Sequence, residues 1–116
     1  TREASRAVAD AMPLLRKAES VNVVVIDPVV GEAAHGGEPG ADIAAHLARH
    51  GLKVEVETRP SMNFSVAYAV LQHARTVGAD LVVAGGYGHS RLREALLGGT
   101  TRELLQSAHL PVLFSH

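Results

Sequence analysis

Apolar positions along this chain switch repeatedly between two spacings. Over residues 2–19, Ala4, Ala7, Val8, Ala11, Leu15 and Ala18 recur at the three-to-four-residue interval of one helix face. Thr1 stands where a cap belongs, and Pro13 removes one hydrogen bond and should kink the helix. Residues 21–26 are a β-branched run too dense in apolar side chains for a strand with one wet face. Both faces should be covered, as in a parallel sheet, and Asp27-Pro28 ends the run. A helical pattern returns with Ile43, Ala44, Leu47 and Ala48, opened by Pro39 and closed by Gly51. Residues 52–58 alternate Val54 and Val56 with Lys53, Glu55 and Glu57, which suits a half-buried strand at a sheet edge. Ser65 is placed to cap a helix over 66–77. Its inward face is Ala67, Val70, Leu71 and Ala74, with His73 and Arg75 toward solvent and Gly78 as the stop. Residues 81–84 read as a short buried strand, and residues 111–115 as a last one. Between them, Thr100-Thr101-Arg102-Glu103 has the Thr-x-x-Glu form of a capping box for a helix over about 101–108. Strands alternating with helices predict an α/β fold: a three-layer α/β/α sandwich around a mostly parallel open sheet, with right-handed crossovers.

The segment over 80–101 organises the rest. An apolar strand runs into Gly85, Gly86 and Gly88, where the backbone can take positive φ or approach a ligand closely. A second pair, Gly98-Gly99, precedes the capping pattern. Strand, glycine loop and helix N-terminus in that order make an anion site of exposed amides and the positive end of a helix dipole. The same glycines also suit a tight turn and close helix packing. No Gly-Lys-Ser/Thr follows them, so this is no P-loop, and Gly86-x-Gly88-x-x-Arg91 lacks the third glycine of a dinucleotide fingerprint.

Composition narrows the functions further. At 116 residues the chain is one domain with room for a real core. Its formal net charge of −1 gives no electrostatic reason to expect nucleic acid or an anionic membrane as partner. Cys is absent, which removes disulfides and thiol chemistry and fits a cytoplasmic setting. No apolar run reaches membrane-spanning length. His46 and His50 have the i, i+4 spacing of a two-His metal site, but no Glu follows His46 and no third ligand is evident; they read as a solvated face, as does His35 in its glycine-rich loop. No metal site is expected. Nor is there a Ser-His-Asp or paired-carboxylate pattern, so no catalytic residue is assigned and the chain does not read as an enzyme.

Gly85-x-x-Gly88, nine residues and then Gly98 resembles the glycine signature of the universal stress protein (UspA-type) family. The stretch over 78–99, Asp27 at a strand end and the final Leu-Pro-Val-Leu-Phe-Ser-His are similar to it as well, and the likeness covers nearly the whole chain. The resemblance implies an adenine nucleotide alpha hydrolase-like fold and a stress-response protein that holds ATP or another adenine nucleotide. It places Val25 backbone at the base, Gly85, Gly88 and Gly98 along ribose and phosphates, and the amides of Gly99 and Thr100 on the phosphates. One position departs: relatives that hold ATP carry Ser or Thr after the third glycine, and here Gly99 stands there. A charge-assisted hydrogen bond worth ~1.5–3 kcal/mol is thereby in question. A non-nucleotide-binding dimerisation or signalling module of the same fold is the alternative.

The resemblance also implies a central strand ahead of the first helix, ending in an acid that meets the base. Residues 1–116 then form a domain that is incomplete at its N-terminal side, similar to the C-terminal half of tandem-domain members. Nucleotide affinity without that acid should be weak or lost. The last strand, with Pro111 at its start and Ser115 at its end, is expected at an edge, unprotected by Lys. The resemblance implies that it pairs with a second copy of itself, giving a homodimer, or with a sister domain.

Overall fold

The computed structural model describes residues 2–28, 39–85 and 99–115. Eight elements follow in order: α1 (Arg2–Leu15), β1 (Val21–Ile26), α2 (Ala41–Arg49), β2 (Val54–Arg59), α3 (Val66–Val77), β3 (Val82–Gly85), α4 (Gly99–Ser107) and β4 (Val112–Ser115). The strands are parallel, as the alternation of strands and helices predicts.

Alternation of side chains across the strands separates two cores. Ala11, Met12 and Leu15 of α1 join Leu47 of α2 on one face, where Val21, Val23, Val54, Val83 and Leu113 pack against them. Ala67 and Leu71 of α3 join Leu104 of α4 on the other, against Ala84 and Phe114. Neighbours Val83 and Ala84, like Leu113 and Phe114, thus point to opposite helix layers. Leu47 is almost fully buried, which stabilises the fold by about 1.5–3 kcal/mol relative to exposure.

Local chemistry explains most boundaries. Ser65 caps α3: its Oγ accepts the Tyr68 amide at 3.0 Å, and Gly78 ends the helix with φ of 71°. Gly51 follows α2 with φ of 83°, a conformation in which a side chain would be strained. α1 stops at Leu15, four residues before the end expected for it at residue 19. Lys17 and Ala18 donate to the carbonyls of Leu14 and Leu15, tightening the last turn and leaving Ala18 exposed. Pro13 lies inside the helix, as expected.

The sheet differs from a single open layer. β1 pairs only with β2 and β3 only with β4, so among the described residues two two-stranded parallel sheets lie between the helix layers. α1 packs on β3 and β4 while its cluster also meets Val21 of β1, so the helices connect the two pairs. β4 has one strand neighbour, the edge position read from the sequence.

Candidate functional site

In open parallel α/β folds, ligands bind beyond the carboxyl ends of the strands. β1 ends there at Ile26, and Asp27 follows with φ of 52°. A short polar side chain tolerates this left-handed geometry because it bonds locally. Asp27 Oδ1 accepts the Ser61 amide at 2.9 Å, and its other oxygen accepts the Ser61 hydroxyl. Those two bonds, the hydroxyl's first, favour the ionised form and hold the Asp27 carboxyl below the usual carboxylate range. The clasp ties the end of β1 to the loop after β2. Gly40, at the start of α2, has φ of 82°; a Cβ there would stand 3.1 Å from Val25 Cγ2 and 3.2 Å from Val56 Cγ1. Only glycine lets α2 begin directly upon these valines.

Val25 is half-buried near the end of β1, and Gly85 is the last residue of β3. Together with Thr100 they line one end of a trough that runs along the whole of β1, from Ser20 to Ile26. Gly99 and Thr100 are the first two residues of α4, both exposed. Their amides belong to the set that a helix leaves without an intrahelical acceptor, and they sit at its positive end. A Cβ on Gly99 would meet nothing within 4 Å. Gly88 and Gly98, like His35, Arg91 and the rest of both glycine loops, lie outside the described residues.

Two details shift the expected roles. Amides of Val21 and Asp27 donate to carbonyls of Lys53 and Arg59, so the odd-numbered residues of β1 direct their backbone groups to β2. Val25 thus spends its backbone on the ladder, and Ile26 beside it faces the open side. Likewise α4 begins two residues before the expected start, which puts Thr100, the expected cap, inside the helix, with Thr101 buried after it. Glu103 accepts the Ser65 hydroxyl at 2.5 Å, joining α4 to the start of α3.

His73 is the residue that sequence reasoning misplaced. It is 6 % exposed rather than solvated. Its Nε2 donates to Asn22 Oδ1 at 2.6 Å and lies 3.4 Å from a Glu57 oxygen. The Asn22 carboxamide bonds Glu57 in turn, which, ahead of the nearby Arg59 and His73 charges, holds that carboxyl below its usual range. α3, β1 and β2 are thereby joined through polar atoms. The missed signal was spacing: Val66, Val70, His73 and Val77 form one helical stripe, and Asn22 interrupts a valine run. His46 and His50 are exposed, with rings 4.7 Å apart and His50 Nδ1 2.9 Å from the His46 carbonyl oxygen.

Comparison with known proteins agrees with this fold. The model of the universal stress protein family matches residues 2–116. Universal stress protein Slr1230 of Synechocystis sp. (strain ATCC 27184 / PCC 6803 / Kazusa) is 33% identical over 67 residues, which are 58% of this chain and 22% of that protein. The chain therefore matches about a fifth of that relative's length. No described helix is long and apolar enough to cross a membrane.

Proposed function

Because this chain belongs to the universal stress protein family, we propose that its stress-response domain holds an adenine nucleotide in the cleft at the strand ends. The observation that carries this reading is convergence. Val25, Gly85 and Thr100, far apart in sequence, line one cleft, and the first turn of α4 stands at its rim. The base lies against the end of β1, with the Val25 side chain as apolar wall and the open backbone groups of Ile26 as partners. Gly85, Gly88 and Gly98 make room for ribose and phosphates, and the amides of Gly99 and Thr100 receive the phosphates. No residue is assigned a catalytic role. Binding is weak, because Gly99 offers no hydroxyl to a phosphate oxygen.

Calorimetry with ATP, ADP and AMP tests this. Affinity should fall in that order, and Gly99→Ser, which has open space for its side chain, should raise ATP affinity about tenfold or more, as a bond of ~1.5–3 kcal/mol requires. Equal affinity for the three, or no gain from the serine, removes the phosphate role of α4.

A second reading rests on β4. Its outer edge has no strand partner among the described residues, and neither Lys nor a bulge protects it. That favours a domain that pairs through this strand with a second copy or a sister domain, in the cytoplasm. Val112→Pro should then turn a dimer into monomers or aggregates on light scattering.

A further inference from the structure

We propose that His46, in the last turn of α2, and His50, just past its end, form a two-histidine chelate for a divalent transition-metal ion of right-angled coordination, Cu2+ foremost. The inference does not rest on nucleotide binding. Their spacing alone reads as a solvated face; the placement of the two rings changes that reading.

The first observation is distance. A bound metal ion sits about 2.0–2.1 Å from an imidazole nitrogen, and so about 3.2 Å from the centre of the ring. Two rings bound at a right angle then have centres about 4.5 Å apart, and two bound at the tetrahedral angle about 5.2 Å. The centres of His46 and His50 are 4.7 Å apart. The pair therefore stands close to two adjacent positions of a tetragonal ion, the geometry of Cu2+ and Ni2+ rather than Zn2+. The rings are tilted by 54° rather than stacked, as adjacent ligands are free to be.

The second is orientation. His50 Nδ1 lies 2.9 Å from the His46 carbonyl oxygen. A carbonyl only accepts, so Nδ1 carries a proton and donates, and the neutral ring keeps its lone pair on Nε2. Histidine ligands are commonly held in this way, with the nitrogen away from the metal donating to an oxygen. The end of the helix makes the bond available. The His50 amide donates to the Leu47 carbonyl at 3.0 Å, which takes from the His46 carbonyl its usual amide partner four residues on.

The third is support and charge. Leu47, between the two histidines, is 1 % exposed and anchors this turn in the core. The Gly51 amide closes it on the Ala48 carbonyl at 2.9 Å. Both rings are exposed, so an ion reaches them without being buried and keeps its remaining waters. The negative end of the helix dipole lies beside them and favours a dication. Among the described residues no third His, Cys, Asp or Glu completes a metal-binding group. Water then fills the other positions, and the site exchanges its ion with solvent instead of locking it in as a structural site does. For two imidazoles of this kind Cu2+ is the tightest of the divalent ions.

The experiment titrates the protein with Cu2+ in a non-coordinating buffer and follows it by calorimetry and by amide NMR. At a small fraction of one equivalent, the paramagnetic ion should broaden the amides of Leu47, Arg49 and Gly51 before any others. His46→Ala and His50→Ala should each weaken binding at least about tenfold, since each leaves one ligand where a chelate stood. His109→Ala, which removes another exposed histidine, should change it less than about twofold. The amide spectra of the variants report their folding, and both His46 and His50 are exposed, so the comparison stands on folded protein. Broadening that begins elsewhere overturns the proposal. So does a smaller loss in either variant, which is what a single histidine binding alone would give.

Discussion

The two strand pairs are built to different rules. β1 and β2 are locked by polar side chains: His73, Asn22 and Glu57 join them to α3, and the Asp27–Ser61 clasp closes their carboxyl ends. β3 and β4 are held by apolar contact with α1, α3 and α4, and the Ser115 hydroxyl donates to Asp10 of α1. The candidate site lies across both, so its base end is fixed by hydrogen bonds and its phosphate end by packing. Polar locking gives direction but depends on protonation; apolar packing ignores pH and depends on shape.

The largest expected effect comes from the packed pair. Leu104 is 2 % exposed at the centre of the cluster that seats α4. Leu104→Ala should cost about 2–5 kcal/mol in urea unfolding. Hydrogen exchange in the variant should show β3 and β4 opening before β1 and β2; simultaneous opening would erase the distinction between the pairs.

A smaller loss is expected from the polar pair. His73→Ala strands the Asn22 oxygen and removes a buried ring, at about 1–3 kcal/mol. The decrease in Tm should be accompanied by faster exchange at β1, with β3 unaffected.

Acid supplies the smallest and most selective perturbation. Asp27 and Glu57 have carboxyl groups held below their ordinary values in the folded state. Their contributions are complete above the unfolded values near pH 4 and are lost as pH falls through the lower folded ones. Ser61→Ala removes the hydroxyl's bond, the larger of the two that depress Asp27, and keeps the amide's, so its stability should fall less steeply with acid than that of the unaltered protein. Identical slopes in acid titrations followed by circular dichroism would show the clasp contributes nothing.

The same contrast governs what could be read beforehand. Apolar spacing located β1 and α3 to the residue, and the Ser65 cap was legible because its chemistry is local. The division of the sheet into two pairs is a matter of strand neighbours, which spacing does not encode. His73 was read as solvated because a titratable residue on a helix usually is; its partners come from two strands 51 and 16 residues away, and no local pattern brings them together. Val25 and Gly85 were legible as strand ends near the glycine loop, but the ladder parity that turns Val25 toward β2 follows only from the pairing.

The central claim is that the ends of β1 and β3 and the start of α4 act as one adenine nucleotide site. Amide chemical shifts during titration with ATP test it most directly. We predict that Ile26, Gly85, Gly99 and Thr100 move together along one binding curve with a midpoint on the order of a millimolar, about −4 kcal/mol, and that inorganic triphosphate moves only Gly99 and Thr100. Shifts confined to other surfaces, or none at nucleotide concentrations well above that midpoint, would contradict the account.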